Sequence, residues 1–201
     1  MIAIIDYGVG NLFSLHSSFL KIGAETVVTS DPNVIKSADR VILPGVGAYG
    51  EVAEKIKNAG LDRVVREIAS DGKPLLGICL GMQLLFEYGT EFGKNAGLGL
   101  LKGHVVSMRN EIAPTLKLPQ IGWNALNIMR KNKLFKYINN GDHVYFVHSF
   151  HAVDCDESLI ATTEYGAEIT AAVANDNVFG CQFHPEKSGE IGLNILKGFL
   201  D

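Results

Sequence analysis

The sequence predicts an α/β fold: a doubly wound, mainly parallel sheet flanked by helices, with an antiparallel extension from the second half. Three observations predict it. Short apolar runs without alternation, at Ile2–Ile5, residues 41–43 and Leu75–Ile78, suit strands buried on both faces of a parallel sheet. Segments with helical spacing separate those runs. Beyond Gly103 the pattern changes to closely spaced strand-like segments with few helical ones.

Taken in order, Ile2–Ile5 is a first strand ended by Asp6-Tyr7-Gly8. Residues 11–22 place Leu12, Leu15, Phe19 and Ile22 on one helical stripe, with Gly23 as the C-cap. Residues 25–29 form a brief β-branched strand, and residues 41–43 a buried one closed by Pro44-Gly45. Residues 52–70 divide near Gly60 into two helical pieces. Leu75–Ile78 is a fourth strand, followed at once by a helix over residues 80–87. In the second half, strands are expected at residues 105–108, 125–128, 144–150, 159–163, 169–173 and 178–183, and a last amphipathic helix over Gly189–Leu200. The simplest arrangement extends the main sheet with antiparallel strands. There is no linker, repeat or low-complexity segment, so residues 1–201 read as a single domain.

Composition narrows the function. Apolar residues make up 47% and charged residues 20%, and the net charge is −4, which argues against general nucleic-acid binding. The one basic run, Arg130-Lys131-Asn132-Lys133, reads as a solvated helix start. Three cysteines are too few and too odd a count for a secreted disulfide framework. The apolar start lacks a basic flank and reads as a strand. The richest apolar stretch, residues 74–86, is broken by Gly77, Gly81 and Gln83 and is too short to span a bilayer. A cytoplasmic location without membrane attachment is expected.

The strongest chemical signal is Gly77-Ile78-Cys79-Leu80-Gly81, placed between a strand and a helix. It follows the logic of the nucleophile elbow, with Cys in place of Ser. Such a turn stands the side chain at the carboxyl edge of the sheet, and a following helix N-terminus favours a thiolate. Cys155, among Asp154, Asp156 and Glu157, and Cys181, in an apolar strand, lack this frame. A nucleophilic thiol needs a base and the base an orienter. His184 and Glu186, two residues apart in Phe183-His184-Pro185-Glu186, project to one side of an extended segment and offer both roles. Pro44-Gly45-Val46-Gly47 follows a strand and can expose backbone N–H groups as an oxyanion hole, with the Leu80 N–H as second donor. Other signals weaken. Gly8-Val9-Gly10-Asn11-Leu12-Phe13 lacks the third glycine of a dinucleotide fingerprint. His143, His148 and His151 match no zinc spacing and read as strand histidines. No metal and no cofactor is expected.

Together, Pro-Gly-Val-Gly, Gly-x-Cys-x-Gly-Met-Gln and His-Pro-Glu-Lys resemble the class I, triad-type glutamine amidotransferases. Asp6-Tyr7-Gly8-Val9-Gly10-Asn11, Leu118-Pro119-Gln120-Ile121-Gly122-Trp123-Asn124 and Tyr145-Phe146-Val147-His148-Ser149-Phe150 are more similar to one branch, the glutaminase subunits of imidazole glycerol phosphate synthases. The resemblance spans the chain. It implies that Cys79 attacks the side-chain amide of L-glutamine to form a γ-glutamyl thioester, with His184 moving protons and Glu186 orienting His184. It implies that Gly45, Val46, Gly47 and Leu80 lie at the oxyanion, and that Gln83 holds the glutamine with the main chain of His148, Ser149 and Phe150. It also implies a (β/α)8-barrel cyclase subunit as heterodimer partner. Asn11, Trp123 and Lys187 are candidate contacts with that subunit. The residues alone leave open a γ-glutamyl hydrolase, a Cys peptidase, or the glutaminase subunit of another amidotransferase.

Overall fold

The computed structural model describes residues 1–201. In the first half, strands and helices alternate: β1 (Ile2–Ile5), α1 (Leu12–Lys21), β2 (Thr26–Thr29), α2 (Pro32–Ser37), β3 (Arg40–Leu43), α3 (Tyr49–Asn58), α4 (Leu61–Ser70), β4 (Leu75–Ile78) and α5 (Leu80–Gln83). The second half contributes β5 (Tyr88–Gly89), β6 (Asn95–Ala96), β7 (His104–Ser107), β8 (Gln120–Ala125), β9 (Asn127–Ile128), β10 (His143–His148), β11 (Phe150–Val153), β12 (Leu159–Glu164), β13 (Glu168–Asn175), β14 (Val178–Cys181) and α6 (Gly189–Leu200).

The main sheet has the order β2-β1-β3-β4-β14-β13-β12-β9. Its first five strands are parallel, and β13, β12 and β9 extend it antiparallel. The apolar runs follow from burial on both faces. On β1, Ala3 and Ile5 pack with α3 and α4 residues such as Val52, Ile56, Val65 and Ile68. Ile2 and Ile4 pack on the other side with Phe19, Phe179 and Phe199. A polar residue on either face would forfeit about 1.5–3 kcal/mol of apolar burial, so alternation is absent.

Four expectations are corrected. The antiparallel extension accounts for only part of the second half: β11-β7-β5-β6 form a separate sheet, and β10-β8 a separate two-stranded ribbon. The expected strand over residues 144–150 breaks at Ser149 into β10 and β11, which go to those different sheets. The helix expected over residues 80–87 stops after four residues. Its next carbonyls are taken by the returning chain: Leu84 accepts from Leu98 N–H, Leu85 from Leu100 and Leu101, and Phe86 from Gly99. The run Arg130–Lys133 starts no α-helix. Arg130 donates to the carbonyls of Asp156 and Glu157, and Asn132 caps a short 3-10 turn at Lys133–Phe135. No helix is long and apolar enough to cross a membrane.

Candidate active site

Cys79 connects β4 to α5 at φ 54°, ψ −112°, a region that non-glycine residues avoid. Close packing enforces the turn. A Cβ on Gly81 would stand 1.9 Å from the Leu43 carbonyl oxygen, and one on Gly77 would stand 2.7 Å from the Gly81 oxygen. Gly45 fits the same contact, since its Cβ would meet the Gly81 nitrogen at 2.6 Å. The ends of β3 and β4 are thus pressed together, and only glycines permit it. The helix that follows Cys79 is a single turn, so dipole support for a thiolate is smaller than the sequence suggested.

The chain after β14 supplies the base. His184 Nδ1 lies 2.8 Å from Glu186 Oε1, and the side chains are 3% and 1% exposed. Asn11 Nδ2 donates to the same oxygen at 3.3 Å. The segment is tied to β10: His184 N–H donates to the Tyr145 carbonyl, and Ser188 Oγ accepts from Tyr145 N–H while donating to the His184 carbonyl. Burial disfavours a charged imidazole, but the adjoining Cys79 and Glu186 outweigh it and raise the His184 pKa to about 10. His184 Nε2 is sealed from solvent and has no partner of hydrogen-bond geometry. Cys79 stands close enough to favour the charged imidazole, but the hydrogen bond between them is not closed, as is common before substrate binds.

These groups meet in a cavity of about 360 Å³. Cys79, Leu80, Gln83 and His184 line it, with Val46 and Gly47 on one wall. His148, Ser149 and Phe150 line it from the junction of β10 and β11. Gly45 is buried against Leu80 and Gly81, and Glu186 lies behind His184. Neither Val46 nor Gly47 N–H is hydrogen-bonded within the chain, so both donors remain for a ligand. The hydroxyl of Tyr7 donates to the Pro44 carbonyl and braces this loop from β1. A larger basin, about 620 Å³, lies around Ile128, Lys131 and Phe135, but no cysteine, histidine or carboxylate lines it.

Of the three residues assigned to a partner surface, Lys187 lines the cavity, while Asn11 and Trp123 do not. Trp123 packs edge-on against Tyr145, over whose ring Lys187 places its amine. His143, His148 and His151 join no group of three or more side chains able to hold a metal ion. His148 is buried, and burial lowers its pKa to about 4. Its Nδ1–H donates to the Phe150 carbonyl at 2.9 Å, and its Nε2 faces the Gln120 side-chain amide at 3.0 Å. The other two thiols are buried, and burial above all pushes both Cys155 and Cys181 upward.

Sequence reasoning missed Glu91, Pro119 and Val147, which also line the cavity. Glu91 sits between two-residue strands that carry no strand signal, and it accepts from the Tyr49 N–H at the start of α3. It missed Gln182 too, although a glutamine inside the apolar run Val178-Phe179-Gly180-Cys181-Gln182-Phe183 was a visible signal.

Residues 3–201 match the family described as glutamine amidotransferase class-I. The imidazole glycerol phosphate synthase subunit HisH of Lactococcus lactis is 50% identical over 202 residues, covering 100% of this chain and 98% of that protein. The protein of the same name from Sulfurimonas denitrificans is 48% identical over 201 residues, covering 99% and 97%. Among solved structures, one described as a glutamine amidotransferase superposes with a TM-score of 0.77 at 16% identity, covering 100% of both chains. The structure of PurLQS from Thermotoga maritima gives 0.74 at 21% identity, covering 99% of this chain and 96% of that one. At such identities the two structures speak for the fold alone.

Proposed function

The chain belongs to the class-I glutamine amidotransferase family, and from that premise we propose that it is the glutaminase subunit of an imidazole glycerol phosphate synthase, releasing ammonia from L-glutamine in histidine biosynthesis. The observation that carries the reading is Cys79 and His184 in the lining of one cavity, with Glu186 hydrogen-bonded behind His184 and free backbone donors on the wall.

The steps follow from the groups present. The Cys79 sulfur attacks the side-chain amide carbon of glutamine, and the carbonyl electrons move onto oxygen. The N–H groups of Gly47 and Leu80 receive that oxyanion, with Gly45 and Val46 setting the loop; one such donor is worth about 2.7–4 kcal/mol in related chemistry. His184 gives its proton to the departing nitrogen, ammonia leaves, and a γ-glutamyl thioester remains. His184 then takes a proton from water, which attacks the thioester and frees glutamate and the sulfur. Glu186 holds the imidazole in one orientation throughout. Every step uses side chains and backbone of this chain, so the reading invokes no cofactor.

Binding draws on the other walls. Gln83 commits both amide hydrogens inside the protein, which leaves Oε1 as its group for a ligand. With the Glu91 carboxylate it suits the α-ammonium group of an amino acid. The backbone of His148, Ser149 and Phe150 faces the rest of the ligand.

Ammonia needs an acceptor, and the relatives most similar to this chain are named as subunits of a synthase. The reading therefore includes a (β/α)8-barrel cyclase subunit as heterodimer partner. Its dock is supported by β8, where Ile121 and Trp123 share an outward face at 62% and 52% exposure. Lys187 reaches from the cavity lining over Tyr145, against which Trp123 packs, joining the site to that face. Asn11 would act on this side through Glu186. Three free cysteines accord with a cytoplasmic protein.

The test is Cys79→Ala in the assembled enzyme. Glutamine-dependent synthesis is expected to vanish while ammonia-dependent synthesis and partner binding persist. Loss of the ammonia-dependent reaction as well would make Cys79 structural. In His184→Asn, mass spectrometry should find a thioester on Cys79, identifying nucleophile and substrate together.

A further inference from the structure

We propose that Gln182 is a positioning residue for the nucleophile: its side-chain NH2 donates to the Cys79 sulfur and, locked by Gln83, aims that sulfur into the cavity. The proposal rests on the reading of Cys79 as the attacking group.

Gln182 is fully buried and lies two residues before His184. Between them Phe183 turns the other way and packs edge-on with Phe146. Cys79 thus meets the Gln182 side chain and shares its cavity with His184. Gln182 Nε2 lies 3.6 Å from Cys79 Sγ, hydrogen-bond range for a sulfur acceptor.

The orientation of this amide follows from its neighbours. A backbone carbonyl can only accept, so the Phe150 oxygen, 3.0 Å from Gln83 Nε2, fixes which end of Gln83 is the NH2. The second hydrogen of that NH2 goes to Gln182 Oε1 at 2.9 Å. Gln182 must then turn its own NH2 to the sulfur. Gln83 thus donates to both the Phe150 carbonyl and Gln182 Oε1, and Gln182 donates to the Cys79 sulfur, without conflict. An amide donor at this place favours a charged sulfur and removes freedom from its χ1 rotation. Gln83, which also lines the cavity, connects ligand contact to the setting of the nucleophile.

The test uses the full-length chain and peptide-resolved mass spectrometry of iodoacetamide labelling at Cys79 from pH 5 to 10. Gln182→Glu keeps an acceptor for Gln83 but turns a carboxylate oxygen toward the sulfur. Labelling at pH 7 should slow by roughly tenfold or more, with the profile moved to higher pH. Gln182→Met, similar in length but without a donor, should slow it by roughly threefold to tenfold. With the partner present, kcat should fall in both variants while KM for glutamine stays near the parent value. Should neither variant fold, the Gln182 side-chain NH2 resonances of the unaltered protein and of Cys79→Ala decide. Loss of the sulfur should shift them and hasten their hydrogen exchange. An unmoved labelling profile in a folded variant, or unmoved NH2 resonances, overturns the proposal. Undiminished glutamine turnover by Cys79→Ser would instead overturn the nucleophile reading itself.

Discussion

Glu186 Oε1 accepts from two directions at once, from His184 Nδ1 at 2.8 Å and from Asn11 Nδ2 at 3.3 Å, in a site nearly closed to water. The carboxylate is anchored from β1's loop and in turn fixes the imidazole. Glu186→Gln keeps the shape and removes the charge. Turnover of glutamine should fall by roughly 10²–10⁴-fold with KM little changed, because the lost interaction strengthens only as His184 gains charge. Steady-state kinetics checks this; a loss under tenfold would remove Glu186 from the triad.

The same pair predicts a pH dependence. His184 has a folded pKa raised to about 10 by Cys79 and Glu186 against burial, above its ordinary 6.5. A raised histidine adds stability that is fully present below the unfolded pKa and is lost as pH climbs through the folded one. The stability gap between the parent protein and Glu186→Gln should therefore be widest at or below about pH 6.5 and close toward pH 10. Denaturant midpoints across that window measure it, and a constant gap would mean that the imidazolium is not held.

His148 has the opposite sign. Burial depresses its pKa to about 4 and keeps it neutral in the fold, while an unfolded histidine protonates near 6.5. Acidification from about 6.5 to 4 should drain stability, since the unfolded state binds the extra proton. His148→Gln should flatten that part of the profile, read as melting temperature against pH. An unchanged slope would show that another group carries the acid sensitivity.

The elbow and the His184–Glu186 pair were legible because their signals are local. Gly77, Cys79 and Gly81 form one turn, and His184 and Glu186 sit two residues apart, so spacing alone proposes the geometry. The parallel strands were legible for a similar reason: β1 and β4 are buried on both faces and carry uninterrupted apolar runs. What stayed hidden depends on distant partners. Residues 84–87 have a helical composition, but backbone bonds from residues 97–101 end α5 early. Glu91 reaches the cavity only because Tyr49 N–H holds its carboxylate. The helix α2 was readable yet overlooked: Asp31 caps it through Asn33 N–H and Pro32 starts it.

Gly81 makes a sharp stability prediction. An added Cβ would overlap the Leu43 carbonyl, which is backbone of a central strand and cannot swing aside as a side chain would. Gly81→Ala should destabilise the fold by about 3 kcal/mol or more, beyond the usual range for overpacking. Urea unfolding of the purified variant tests it. A loss below about 1 kcal/mol would mean that β3 and the elbow can separate freely, and the close-packed account of the strained Cys79 turn would fail with it.

The proposed dock on β8 can be separated from folding. Trp123 is half exposed, and its main contact is the edge of Tyr145, so the β8-β10 pairing does not depend on it. Trp123→Ala should leave the melting temperature nearly unchanged. If Trp123 anchors the cyclase subunit, truncation should weaken association by roughly 30-fold or more, the scale expected of a buried aromatic anchor. Titration calorimetry with the purified partner measures the affinity directly. Exposed surface residues outside an interface shift neither quantity, so unchanged affinity would move the dock away from β8 even if the two subunits still associate.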